Sequence, residues 1–191
     1  GAKPLQPVKF SEAAEEEVRC LYVDKKGRTW VADKNGYVRV GDRFLTPKGE
    51  LSTAPVAFGQ NVYCILEDSR GDLWLGAKPE GLTRLKASET ADGYIVKRYV
   101  HDENAPNSLS CNNIYDIVED PQKRLWIATY NGGLNMYDSR QQHDVFVHRD
   151  NRLSGWPADE KSNKMRCLHI TAEQVLMAGT QNGLFTCSLE D

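Results

Sequence analysis

Four tryptophans are spread along the chain, and one of them, Trp156, stands apart from the other three. It lies in the loop Leu153-Ser154-Gly155-Trp156-Pro157, with Asn, Asp and Arg residues close by. A flat indole offers a face on which a pyranose can stack, and neighbouring amides, carboxylates and guanidinium groups can bond its hydroxyls. This is the side-chain chemistry of sugar recognition. The alternative is a packing duty, with the ring plugging one end of the fold or filling an interface. Other loop segments carry similar polar and aromatic groups: Lys78 to Glu80, Tyr130-Asn131, Gln181-Asn182, His101 to Asn113 and Asn151 to Lys164. From these the candidate ligand-binding residues are Trp156, Tyr130, Asn131, His101 and Asn113.

Reaction chemistry is harder to find. The chain has no G-x-S-x-G, no H-E-x-x-H, no P-loop and no dinucleotide fingerprint. His101, His143, His148 and His169 are not at metal-ligand spacing, and His143 with His148 falls on an expected outer strand, where solvation accounts for them. The five cysteines form no C-x-x-C pair. Cys20, Cys64 and Cys167 recur at one phase of similar apolar runs and read as small buried side chains. The expectation is therefore a protein that is not an enzyme, with no metal and no cofactor.

The 191 residues, 40% of them hydrophobic, suffice for one domain or one piece of a repeat array. With 27 acidic and 24 basic side chains the formal charge is -3, which leaves no global positive field for nucleic acid. No stretch approaches the roughly 18 apolar residues of a membrane-spanning helix, so no direct membrane contact is expected. The chain opens Gly1-Ala2-Lys3-Pro4, as a processed or excised chain would, and the missing secretion signal is uninformative about location. The acidic run Glu12, Glu15, Glu16, Glu17 reads as a solvated linker or short helix.

The elements that must position these loops come from an internal repeat. The chain reads VRCLYVDKKGRTWVADKNGYVRV from Val18, VYCILEDSRGDLWLGAKPEGLTRL from Val62, IYDIVEDPQKRLWIATYNGGLNMY from Ile114 and MRCLHITAEQVLMAGTQNGLFTC from Met165. The starts are 44, 52 and 51 residues apart. Short β-branched and aromatic runs broken by Asp, Gly and Asn indicate strands. Asp24 and Asp68, with Gly27 and Gly71, read as turn caps. Trp30, Trp74 and Trp126 share one phase of the unit, ahead of the small residues Ala32, Gly76 and Ala128. Equal phase means equal environment, and a ring of this size suits packing between neighbouring sheets. A third strand follows a Gly-containing turn, and outer strands are expected at 94–100, at 144–148 and, weakly, near 43–46.

Four antiparallel strands per unit describe the blades of a β-propeller. An immunoglobulin-like sandwich has no reason to repeat D-x-x-G-x-x-W. The fold expected is all-β: a β-propeller segment of about four four-stranded blades, a fragment of a larger propeller, spanning 1–191 as a single unit. The blades fall at about 18–61, 62–113, 114–164 and 165–191, with the last completed by a strand at 7–10. In the fourth unit Thr171 replaces Asp, Gly is missing, the turn reads one residue shorter, and Leu176 takes the tryptophan's place.

The segment from Tyr94 to Asp138 resembles the two-component regulator propeller repeat. Asn107-Ser108-Leu109-Ser110, Glu119-Asp120, Leu125-Trp126-Ile127-Ala128-Thr129 and Gly132-Gly133-Leu134 fill the places of its loop, strand and turn motifs. The likeness extends more weakly from Val18 to Cys187. It implies the periplasmic sensor region of a hybrid histidine kinase of Bacteroides-type bacteria, binding an oligosaccharide signal or relaying its binding by neighbouring blades. A protein-interaction or dimerisation propeller without a small ligand is the alternative. Apolar end faces of such a segment favour self-association or contact with further blades.

Overall fold

The computed structural model describes residues 17–189; the expected strand at 7–10 and the acidic residues Glu12, Glu15 and Glu16 lie outside that range. All regular structure in it is antiparallel β. The first sheet runs β1 (Val18–Val23), β2 (Thr29–Asp33), β3 (Val38–Val40), β4 (Arg43–Leu45) and β5 (Leu51–Ser52), one strand more than expected. The second has β6 (Val62–Glu67), β7 (Leu73–Ala77), β8 (Gly81–Ala87) and β9 (Tyr94–Tyr99). The third has β10 (Ile114–Glu119), β11 (Arg124–Thr129), β12 (Gly133–Asp138) and β13 (Phe146–His148), and the fourth β14 (Met165–Ile170), β15 (Val175–Thr180) and β16 (Gly183–Ser188). Within each sheet the strands pair in chain order, and the first strands of successive sheets pack side by side. This is a propeller segment, with the first strand of every blade on the inside.

The turn between first and second strands explains the repeated Asp and Trp together. The Asp68 carboxylate accepts the amides of Arg70 (2.9 Å) and Asp72 (3.0 Å), and its second oxygen accepts the Trp74 indole N–H at 2.9 Å. Asp24 holds Lys26, Arg28 and Trp30 in the same way, and Asp120 holds Arg124 and Trp126. Each aspartate thus caps its turn and orients the ring of its own blade. The left-handed turn position is Gly27 and Gly71 in the first two blades; Lys123 (φ 68°) and Gln174 (φ 59°) adopt it in the others. The fourth turn is therefore as long as the rest. Met177 pairs with His169 as Trp74 pairs with Leu66, so Met177, and not Leu176, stands at the tryptophan position.

The indole rings fill the gaps between blades. Trp30 packs with Val62, Ile65 and Leu75 of the second sheet. Trp74 packs with Ile114, Ile117 and Leu125 of the third, and Trp126 with Met165, Leu168 and Leu176 of the fourth. The small residues allow this approach: a Cβ added to Gly76 would come within 2.5 Å of the Ile114 side chain. In the fourth sheet Leu176 and Ala178 face the third blade, which leaves Met177 and the exposed Leu184 on the opposite face. Cys167 is exposed for the same reason, contrary to the buried environment expected for it, because no further sheet covers that face among the described residues. Cys20 and Cys64 are half-buried, and burial pushes the Cys20 thiol up to about 11 and raises Cys64 as well.

Polar ties reinforce the packing. Glu67 accepts the Lys25 amide at 2.6 Å, and Glu119 accepts both the amide and the hydroxyl of Ser69 at 2.8 Å, each glutamate reaching from the first strand of one blade to the turn of the blade before. The third junction cannot repeat this, since Pro121 has no N–H and Ile170 stands at the glutamate's place. Gln122 instead donates to the Gln174 side chain and to the Leu189 carbonyl, both at 3.2 Å. His148 departs from the solvated state expected of it: β13 packs inward and the ring is 7% exposed, and burial lowers its pKa.

Acid should loosen this framework. Burial works to raise the Asp24 carboxyl, but the Trp30 indole and the Arg28 amide and guanidinium outweigh it and hold it below its ordinary value. Asp144 behaves alike: the Lys97 ammonium and the Tyr137 hydroxyl overcome its burial. Depressed carboxylates stabilise the fold above their ordinary values and lose that contribution as pH falls through the folded ones. Urea midpoints should slip slightly from about pH 7 to about pH 5, where the unfolded chain takes up the His148 proton more readily than the fold does, and drop more steeply below about pH 4. A midpoint unchanged at about pH 3 would contradict these assignments.

Candidate functional site

Each first strand carries a β-bulge at one place, between Val18 and Cys20, Val62 and Cys64, Ile114 and Asp116, and Met165 and Cys167. A bulge leaves one residue out of the pairing and re-aims its side chain. Those residues are Arg19, Tyr63, Tyr115 and Arg166. A second residue of each blade follows fifteen positions later: Lys34, Lys78, Tyr130 and Gln181. Its amide bonds the carbonyl of the residue just before the first strand, from Lys34 to Glu17, Lys78 to Asn61, Tyr130 to Asn113 and Gln181 to Lys164, at 2.9–3.2 Å. Four blades therefore bring two side chains apiece to one rim, where the second-to-third-strand turns and the blade connections emerge.

The rim side chains touch across blade boundaries. The rings of Tyr63 and Tyr115 are 5.2 Å apart, and those of Tyr115 and Tyr130 are 5.6 Å apart. The Arg166 guanidinium lies 4.9 Å from the Tyr115 ring centre and 4.6 Å from that of Tyr130. Lys78 donates to the Tyr115 hydroxyl at 3.1 Å, and that hydrogen bond raises the lysine's pKa. Gln181 donates to the Tyr130 hydroxyl at 2.8 Å, and Arg19 sits 5.8 Å from the Tyr63 ring. Tyr63, Tyr115 and Tyr130 are half-buried, and Arg19 and Arg166 are exposed. Half-buried rings held together across blade boundaries form an aromatic platform beside which a flat ligand can pack, with amide, ammonium and guanidinium donors at the same place.

Next to this platform, Asp116 points between blades. Its carboxylate accepts the Leu168 amide at 2.7 Å and the Ile117 amide at 2.9 Å, and burial raises its pKa. It ties the third blade to the fourth directly beneath Tyr115 in the chain.

Of the residues expected to bind a ligand, Tyr130 is central to the platform. Asn113 adjoins it, accepting the Tyr130 amide through its carbonyl and directing its side-chain amide toward the Tyr130 carbonyl at 3.5 Å. Asn131, at φ 90°, turns the chain there and donates its amide to Asn163. His101 lies further along the connection from the second blade, its ring against the Leu109 carbonyl and its amide on Asn112. Trp156 belongs to a different feature. Its ring packs on Phe185 at 5.4 Å, its N–H meets Asn163 at 3.2 Å, and with Trp126, Leu134, Leu153 and Leu176 it walls an apolar cavity of about 220 Å³ between the third and fourth blades. Arg19, Tyr63, Tyr115 and Arg166 escape a reading that concentrates on loops. Their signal is periodic: each is the second residue of its repeat.

Two stretches, residues 58–78 and 108–131, match the family model of the two-component regulator propeller. These two stretches carry two-component regulator propeller repeats. The matched stretches supply Tyr63, Lys78, Tyr115 and Tyr130, so the platform is built from the repeats themselves. No curated protein matches the chain. Among solved structures, the extracellular domain assigned to a hybrid two-component system of B. thetaiotaomicron is similar over 91% of this chain and 23% of its own length, at TM-score 0.62 and 20% identity. PorZ of Porphyromonas gingivalis, a component of the type-IX secretion system, matches 93% of this chain and 26% of its own, at TM-score 0.63 and 19% identity. Virginiamycin B lyase of Staphylococcus aureus matches 94% of this chain and 58% of its own, at TM-score 0.56 and 15% identity. At these identities the likeness is one of fold. This chain spans about a quarter of the first two proteins.

Proposed function

We propose that this propeller segment belongs to the extracytoplasmic sensor region of a hybrid two-component regulator, where it binds a saccharide or relays its binding by adjoining blades, without catalysing a reaction. The regulator-type repeats and the fold shared with an extracellular domain of such a system support the placement. The observation that carries the ligand reading is the continuous tyrosine platform at the rim, assembled from separate blades. Tyr115→Ala and Tyr130→Ala should each weaken binding of any oligosaccharide that the protein retains on a glycan array by about tenfold, equivalent to about 1.4 kcal/mol. Melting temperature should stay nearly unchanged, because both rings are half-exposed. Undiminished binding by both variants would remove the platform from the function.

A second reading, an interaction module without a small ligand, is favoured by the exposed apolar side chains at the two ends of the blade series: Leu21 (66%) and Val23 (59%) on the first sheet and Leu184 (60%) on the last. Such faces suit another blade or another protomer. Light scattering coupled to size exclusion tests it: a monodisperse monomer at high concentration excludes self-association through these faces.

A further inference from the structure

We propose that the rim selects an anionic saccharide, one carrying a carboxylate or sulfate group, and that Arg166 and Lys78 are the residues that read its charge. This rests on the saccharide reading above and goes beyond it in naming the ligand's class.

The rim contradicts the charge of the chain that bears it. Across the eight positions supplied by the four bulges and their partners fifteen residues on, four are cationic (Arg19, Lys34, Lys78, Arg166), three are tyrosine, one is glutamine and none is acidic, in a protein of formal charge -3. Bordering carboxylates offset only part of this. Glu17 pairs with both Arg19 (3.1 Å) and Lys34 (3.0 Å), so one negative charge serves two positive ones. Glu160 is occupied by Lys164, and Glu80 accepts the Asn61 amide at 3.3 Å. Arg166 and Lys78 have no ion pair among the described residues; their partners there are tyrosines.

Those partners also prepare the cations for a ligand. A guanidinium uses its faces to stack on aromatic rings, whereas its N–H donors lie in its plane and match the paired oxygens of a carboxylate or sulfate. Arg166, held against two rings, is thereby restrained without any of its hydrogen bonds being consumed by a carboxylate, and less side-chain freedom remains to be lost on binding. Lys78 is steadied by the Tyr115 hydroxyl, its ammonium 5.5 Å from the centre of the same ring. A sugar seated beside Tyr115 and Tyr130 would thus bring an acidic substituent within reach of two cations held at the same pair of rings.

The test begins with an array of neutral, uronate-bearing and sulfated oligosaccharides, followed by calorimetry with trigalacturonate, a monosulfated carrageenan disaccharide and galactotriose. At least one charged probe should bind at least tenfold more tightly than galactotriose, and the better one identifies the substituent. Its affinity should fall as sodium chloride rises from about 50 mM to about 500 mM. Arg166→Gln and Lys78→Met should each lower it about tenfold, and Arg166→Lys, which keeps the charge but loses the fork, should lie between. Both side chains reach the surface, so the melting curves of the three variants should match the parent. Neutral sugars binding as well as charged ones, with Arg166→Gln without effect, would overturn the charge selection and leave saccharide binding standing. An array with no hit of any kind would overturn both.

Discussion

Replacing Trp74 by alanine should lower the free energy of unfolding by about 3–5 kcal/mol, the range for removing a fully buried large aromatic. The ring is 0% exposed, and it fills the space between the second and third blades. Around it stand Tyr99, with ring centres 5.9 Å apart, and Tyr137, at 5.2 Å, while the Arg84 guanidinium lies 5.4 Å from the indole. Truncation opens a cavity that these rings cannot close, because Tyr137 is itself anchored through its hydroxyl to Asp144 at 2.6 Å. It also leaves one oxygen of the buried Asp68 carboxylate without its donor. In a linear array each blade is stabilised by its neighbours alone, so loss of this junction weakens both sides. Met177→Ala at the equivalent position of the fourth blade should cost under about 1 kcal/mol, since that face carries no sheet among the described residues. Urea titrations of the two variants make the comparison; equal losses would show that position in the repeat, and not burial, sets the cost.

Asp68→Ala should cost about 3 kcal/mol. The carboxylate is 1% exposed and accepts three hydrogen bonds, two from turn amides and one from the Trp74 indole. Bonds to a charged acceptor contribute about 1.5–3 kcal/mol each when measured singly, and they are not additive because one group makes all three. Asp68→Asn should recover part of the loss: its carbonyl oxygen can still accept the turn amides, while its NH2 faces the indole N–H donor to donor. Thr171→Ala gives the reference, because Thr171 brings its turn a neutral hydroxyl in place of a carboxylate, accepting the Val175 amide at 3.3 Å and bonding the Glu173 side chain. A loss for Asp68→Ala no larger than that for Thr171→Ala would mean that the turn holds its shape without the carboxylate.

The repeated Asp and Trp were legible in the sequence for the reason that makes these two variants costly. Side chains that recur at one phase meet one environment, so Trp30, Trp74 and Trp126 declare the interblade gap before any coordinates are known. The fourth repeat was harder. Without Asp, Gly or Trp to mark the turn, Leu176 reads as the tryptophan's counterpart, and only strand pairing shows that Gln174 takes the glycine's left-handed conformation and Met177 the tryptophan's register. His148 and Cys167 reversed their expected exposures because burial depends on which sheet, if any, covers a face.

The residue pattern alone determined an all-β propeller segment, its blade units, its turn caps and the loops that share one rim, because each follows from local chemistry repeated at a fixed period. Tertiary structure decided the candidate site. Tyr63, Tyr115 and Arg166 are distant in the chain and come from three different blades; the bulges that turn them to the rim are properties of strand pairing, and their contacts exist only after the blades have packed. The same packing took Trp156 away from the platform and into the wall of an apolar cavity, since a ring beside a blade junction is held by the nearest apolar surface whatever polar groups surround it in sequence.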